Sequence, residues 1–129
     1  IVFDVVNPDI VYAGTTKGLF RTITHGEQWE RIGQSLPDLF ISAILLDPTQ
    51  PQTLYIGGPG GIWKSSDSGQ TWVAVNKGLG SLNIRTLAMS ARDSRILYAG
   101  TNGSGLYRST DAGANWTALP LTAAAPRTG

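Results

Sequence analysis

Cysteine is absent from this 129-residue chain, and histidine and methionine occur once each. Without thiols there is no disulfide framework, no thiol nucleophile and no cysteine-based metal site. The single imidazole, His25, stands among dispersed carboxylates and completes no ligand cluster, so neither a metal nor a cofactor is expected. Charge is scarce as well: only 15% of residues are charged, and ten Lys+Arg against nine Asp+Glu leave a formal net charge of +1. The basic residues are scattered singly, whereas nucleic-acid phosphates and anionic lipid surfaces both call for clustered Lys and Arg. No apolar run approaches the roughly 18 to 20 residues of a membrane-spanning helix, and no charged-then-apolar leader opens the chain. Nor does any window of 11 or more residues keep a 3.6-residue apolar period. Helix is therefore expected in no more than a turn, and the composition is that of one soluble globular domain.

Glycine, proline and tryptophan are plentiful, with 16, 7 and 4 copies. That mixture suits tight turns between short strands and large aromatics in a thin core. A repeat organises them. Tyr12-Ala13-Gly14, Tyr55-Ile56-Gly57 and Tyr98-Ala99-Gly100 are spaced by 43 residues, and Trp29, Trp72 and Trp116 follow at intervals of 43 and 44. Leu19-Phe20-Arg21-Thr22, Ile62-Trp63-Lys64-Ser65 and Leu106-Tyr107-Arg108-Ser109 keep the same register. Each unit reads as four short strands, A to D. Strand A (2–6, 41–46, 84–89) is the most apolar and is expected innermost, buried on both faces. Strands B (10–14, 53–57, 96–101) and C (18–22, 61–65, 105–109) follow, and D starts at the repeated Trp. Four strands in about 43 residues is the size of a β-propeller blade. The fold class is thus all-β, with three four-stranded antiparallel blades at about 1–37, 38–80 and 81–120 and a tail or linker at 121–129. Three blades are too few for a closed ring, which oligomerisation or further chain would complete.

Between strands C and D lie Ser65-Ser66-Asp67-Ser68-Gly69-Gln70-Thr71-Trp72 and Ser109-Thr110-Asp111-Ala112-Gly113-Ala114-Asn115-Trp116. The pattern S-x-D-x-G-x-T-W resembles the Asp-box, or BNR, repeat of sialidases, xyloglucanases, sortilin-type receptors and the photosystem II assembly factors related to Ycf48. The resemblance spans the chain up to Pro120 and implies a β-propeller, with secretion or a periplasmic location favoured by likeness alone. In the first copy, Thr22-Ile23-Thr24-His25-Gly26-Glu27-Gln28-Trp29, Thr24 replaces the Asp, so that hairpin is expected to be less well fixed. Turn chemistry accounts for the residue types: a short carboxylate accepts backbone N–H bonds and glycine supplies positive φ. Ser65, Asp67, Gly69, Trp72, Ser109, Asp111, Gly113 and Trp116 are accordingly read as structural.

Other chemistry finds little support. Gly57-Gly58-Pro59-Gly60-Gly61 joins two strands rather than opening a helix, which argues for a turn over a phosphate loop. His25, the one candidate for a Ser-His-Asp triad, sits at a variable box position. Glycoside hydrolysis needs two carboxylates about 5 to 9.5 Å apart. Most acids fall in turns, among them Asp47 before Pro48. Asp4 stands out within strand A, where it is matched to Ile44 and Leu87; fraying at the chain start accounts for it better than a carboxylate facing a central channel. The Arg-Ile-Pro motif of sialidases is missing. Asn102-Gly103-Ser104 and Asn115-Trp116-Thr117 are sequons, yet both read first as turn sequences.

Positions alike in all copies are explained by the fold, so specialisation belongs where the copies differ. In an up-and-down blade the A–B and C–D loops share one face and the B–C and D–A loops the other. The second face carries 15–17, 58–60 and 101–104 with 34–40 and 76–83, and Lys17, Asp38, Phe40, Pro59, Lys77 and Asn102 are its candidate ligand contacts. The leading expectation is a non-catalytic module that binds a protein or glycan there. It would close a ring with copies of itself, as a homodimer of six blades rather than a trimer of nine. A fragment of a xyloglucanase-type hydrolase and a photosystem II assembly scaffold are the alternatives that the resemblance implies.

Overall fold

The computed structural model describes residues 2–3, 9–34, 36 and 40–120. The expected tail at 121–129 lies outside them, as do Asp4 and Asp38. Among the described residues there are twelve strands and no helix. Blade one comprises β1 (Val2–Phe3), β2 (Val11–Thr15), β3 (Gly18–Thr22) and β4 (Glu30–Ile32). Blade two holds β5 (Ala43–Leu46), β6 (Leu54–Gly58), β7 (Gly61–Ser65) and β8 (Val73–Ala74), and blade three β9 (Ile84–Met89), β10 (Leu97–Thr101), β11 (Leu106–Ser109) and β12 (Thr117–Ala118). Every blade is an antiparallel meander in chain order, and the expected all-β propeller architecture is what the chain adopts. The fourth strands begin one residue after each repeated tryptophan and are short, three or two residues, as suits an outer edge.

The core lies between the sheets in two layers, and the period-2 alternation of β6 divides its side chains between them. Tyr55 packs toward blade three with Ile62, Ile84, Leu87, Leu97 and Trp116. Ile56 joins Leu19, Leu36 and Ile41 in the layer shared with blade one. All five residues of β6 are buried because this strand has a blade on either side. Each fully buried Leu or Ile contributes about 1.5 to 3 kcal/mol.

Two expectations need correction. The first strands are not buried on both faces: β5 is half-buried throughout, and in β9 Arg85, Thr86 and Ala88 are exposed while Ile84 and Leu87 are buried. An inner strand borders the channel, so one of its faces meets open space, and β6 alone among the described strands is buried throughout. Secondly, Val2 and Phe3 pair with Tyr12 and Val11 as Leu45 and Leu46 pair with Tyr55 and Leu54. Counting on from Phe3 matches Asp4 to the strand-ending Asp47, not to Ile44 and Leu87.

The repeated glycine of Tyr-x-Gly has a packing reason. A Cβ on Gly14 would lie 2.5 Å from Ile41, and one on Gly57 2.8 Å from Ile84. In both cases an isoleucine at or just before the next blade's first strand seats on the bare backbone. Gly58 likewise leaves no room for a side chain, because the carbonyl of Phe40 occupies the space.

Candidate functional site

The Asp-box turns form one end of the blades, tied to the A–B connections by three equivalent bonds. His25, Ser68 and Ala112 N–H groups donate to the carbonyls of Asp9, Gln52 and Arg95 at 3.1, 2.9 and 2.9 Å. Those three donors adopt positive φ of 60, 63 and 60°, as do the glycines that follow them. The turn therefore needs two successive left-handed residues, only one of which is glycine. Inside it, buried Ser65 Oγ accepts the Gly69 N–H at 2.9 Å and donates to Asp67 Oδ1 at 2.8 Å. Asp67 accepts the Thr71 N–H at 2.9 Å and the Thr71 hydroxyl. Ser109, Asp111, Gly113 and Asn115 repeat this, the Asn amide replacing the Thr hydroxyl. Bonds from Thr71 and Ser65 lower the Asp67 pKa to about 2, and those from Asn115 and Ser109 do the same for Asp111. With their oxygens engaged by the turn, both carboxylates hold the hairpin.

Thr24 serves the first box better than its departure from the pattern suggests. Its hydroxyl accepts the Gln28 N–H at 2.9 Å, and Thr22 Oγ1 takes the Gly26 N–H at 3.0 Å. The hairpin keeps its shape and lacks only the bonds of a second carboxylate oxygen. His25 Nδ1 lies 2.9 Å from Asp9 Oδ1, with both side chains well exposed. No Ser hydroxyl is bonded to this pair, so no triad is assembled among the described residues. Likewise, no group of three metal-binding side chains occurs among them.

The opposite end holds an open cleft of about 720 Å³, lined by Phe40, Ser42, Pro59, Asn83, Ile84, Arg85 and Asn102. Gly58 and Gly61 pair across Pro59-Gly60, which turns β6 into β7 and sets Pro59 on the rim. The Asn102 N–H donates to the Asn83 carbonyl at 3.0 Å, locking the B–C and D–A segments of blade three together. Ser42 Oγ donates to the Ile84 carbonyl at 2.6 Å and so joins the first strands of blades two and three beneath the cleft. Ser42 also borders a second hollow of about 240 Å³ that runs down the inner strands past Gly14, Ile44 and Thr86.

Of the six expected contacts, Phe40, Pro59 and Asn102 come together around the cleft. Lys17 and Lys77 are exposed on the same face but outside its lining, and Asp38 lies outside the described residues. Arg85, Asn83 and Ser42 were not among the six. Arg85 occupies the position of Ser42 in the repeat, so the same subtraction, carried past the loops into the strand starts, would have found it.

The carboxylates gather at one end, where they share the surface with Arg21, Lys64, Arg92 and Arg95. All seven described carboxylates, Asp9, Glu27, Glu30, Asp47, Asp67, Asp93 and Asp111, lie in the A–B and C–D segments or at the adjoining strand end. Lys17, Lys77 and Arg85 lie at the other end, and the Arg85 guanidinium has no hydrogen bond or ion pair among the described residues. An exposed aromatic, two amides and an unpaired guanidinium form a surface suited to acceptor-rich, negatively charged groups.

No protein-family model and no curated protein matches the chain. Solved structures do. A GH74 xyloglucanase from Xanthomonas campestris superposes with a TM-score of 0.73 at 21% identity, over 92% of this chain and 23% of that one. YCF48 from Cyanidioschyzon merolae gives 0.66 at 21% identity, over 92% of this chain and 35% of its own. A structure of YCF48 bound to D1 peptide gives 0.65 at 22% identity, over 84% and 36%. These likenesses establish a partial β-propeller; the chain spans 23 to 36% of the length of those proteins.

Proposed function

We propose that this chain is a non-catalytic propeller module that binds an acidic segment of a partner protein through the cleft at Phe40, Arg85 and Asn102, within a ring completed by further blades. The observation that carries the reading is that Arg85 has no hydrogen bond or ion pair among the described residues and lines the cleft with Phe40, on a face where no described residue is a carboxylate. An extended peptide suits an open groove at the channel mouth, and Asn83 and Asn102 in its lining supply donors and acceptors for a peptide backbone. A YCF48 structure of similar fold is bound to a peptide, which adds support by analogy.

The test is titration with short peptides of matched length and graded Asp/Glu content, set beside a glycan array. Acidic peptides should bind, and Arg85→Glu should weaken them at least tenfold, about 1.4 kcal/mol. Equal affinity for neutral peptides, or an unchanged constant in Arg85→Glu, would reject this reading.

A second reading is a segment of a xyloglucanase-type hydrolase, favoured by the TM-score of 0.73 to such an enzyme and by the exposed Phe40 ring at the cleft. It requires a carboxylate pair across the site. Of the acids in the chain, only Asp38 falls on the loop face by sequence. Glycan-array binding to xyloglucan fragments, with loss in Phe40→Ala and no response to acidic peptides, would favour it.

A further inference from the structure

Asn102-Gly103 is the one place in the chain where glycine follows asparagine. The pairing matters chemically, because the backbone nitrogen after an asparagine can attack that residue's own side-chain amide carbon and close a five-membered ring. A side chain on the following residue hinders the approach, and glycine has none. The reacting groups are already neighbours, so what restrains them decides whether they react. The five asparagines differ in those restraints. Asn76 Oδ1 accepts the Ile62 N–H at 2.7 Å, and Lys77 follows it. Asn115 Nδ2 donates to Asp111 Oδ2 at 2.9 Å, and the next nitrogen, that of Trp116, donates to the Lys77 carbonyl at 2.8 Å. Asn83 precedes the buried, β-branched Ile84, and Asn7 precedes Pro8, whose nitrogen carries no proton. The loop at 101–105 is different. It is held at its base, where Thr101 N–H and Oγ1 both donate to the Gly105 carbonyl at 3.1 and 2.8 Å, while Asn102 and Gly103 are exposed at its tip. Neither the Gly103 N–H nor the Asn102 side-chain amide has a hydrogen bond among the described residues, and nothing lies within 4 Å of where a Gly103 Cβ would be.

We propose that Asn102 is a self-modification site that deamidates in the folded chain, and that the carboxylate it gains weakens binding at the cleft. The Gly103 nitrogen bonds to Asn102 Cγ, the Cγ–Nδ2 bond breaks, and ammonia leaves with the proton that the Gly103 nitrogen gives up. Water then opens the ring at either of its two carbonyls and leaves aspartate or isoaspartate at position 102. Amide and water become carboxylic acid and ammonia, with no oxidant or reductant. Asn102 lines the cleft with Phe40 and Arg85, on a face where no described residue is a carboxylate. The product therefore sets a negative charge where an acidic segment would dock, and like charges brought together oppose binding. This consequence rests on the peptide-binding reading above, whereas the modification does not.

The test is to incubate the folded chain at physiological temperature in mildly acidic and mildly alkaline buffer, digest it with trypsin and read the fragments by mass spectrometry. Circular dichroism before and after incubation confirms that the protein stays folded. Cleavage after Arg95 and Arg108 isolates residues 96–108, in which Asn102 is the only amide side chain. That fragment should convert, faster in alkaline buffer where the Gly103 nitrogen loses its proton more readily, and should be labelled by an isoaspartyl methyltransferase. Asn76, Asn83 and Asn115 should persist. Asn102→Gln, whose longer side chain must close a larger ring, should stay unconverted. Aged wild type should bind acidic peptides severalfold more weakly than fresh protein, Asn102→Asp should be weakened likewise, and the affinity of Asn102→Gln, whatever its starting value, should not drift. An intact 96–108 fragment, or conversion spread evenly over the asparagines, would overturn the modification, and conversion with unchanged affinity would overturn its effect on the cleft. If fresh protein binds no acidic peptide, the binding reading fails together with that effect, and the fragment masses still decide the modification.

Discussion

At the scale of single residues, the box hydroxyls matter more to folding than their small size suggests. Ser65 and Ser109 are 1% exposed, and each satisfies a buried glycine N–H while orienting the following carboxylate. Ser65→Ala and Ser109→Ala strand those N–H groups and should each cost about 1 to 3 kcal/mol in chemical denaturation, with acidic-peptide binding unchanged in the folded fraction. The carboxylates give a pH signature. Hydrogen bonds depress Asp67 and Asp111 from 3.8 to about 2, so their contribution is complete above about pH 4 and is lost as pH falls through 2. Asp93, held at about 2 by Arg95, titrates in the same window. Thermal unfolding of the wild type should therefore weaken steeply between pH 4 and 2, and an Asp67→Asn, Asp111→Asn double variant should show a shallower slope. A slope identical to wild type would mean that the turn does not depend on the ionised carboxylates.

At the scale of the element, hairpins and first strands position the cleft together. Gly58 ends β6 where the Phe40 backbone crosses it, and Gly58→Ala would push that segment outward. Overpacking of this kind costs about 1 to 3 kcal/mol, and displacing Phe40 should also weaken peptide affinity. Gly60→Ala, one residue short of the left-handed Gly61, serves as the control and should change affinity less. The first hairpin invites the opposite experiment. Thr24 engages the Gln28 N–H with one oxygen, so Thr24→Asp combined with Gln28→Thr should recreate the bonds of the second box and raise stability by on the order of 1 kcal/mol, read as a higher melting temperature. A fall in melting temperature would show that the first turn is tuned to its hydroxyl.

For the whole molecule, the near-zero net charge conceals an uneven placement of the carboxylates that topology creates. Acids collect at the box end because Asp is favoured in turns, and the opposite end keeps Lys17, Lys77 and Arg85. If that end receives an acidic peptide, affinity should fall severalfold as ionic strength rises from low salt to about 0.15 M, where the screening length is about 8 Å. Salt-independent binding would point to an apolar contact at Phe40 instead.

The repeat by itself determined the blade count, the order of strands and the place of the box turns, because residues that recur every 43 positions must satisfy the same backbone geometry three times. Loop-face membership followed too: Phe40, Pro59 and Asn102 meet around one cleft, as alternating connections in a meander require. Neighbouring blades decided what one repeat could not express. Trp29, Trp72 and Trp116 are equivalent in sequence, yet their burial differs because, among the described residues, a preceding blade packs against only the last two. The apolar first strands read as enclosed, whereas the channel leaves one side open and lets Arg85 stand in β9 without desolvation. Gly14 and Gly57 read only as the ends of second strands and proved to be seats for Ile41 and Ile84, since a close approach between residues 27 apart in sequence leaves no local mark.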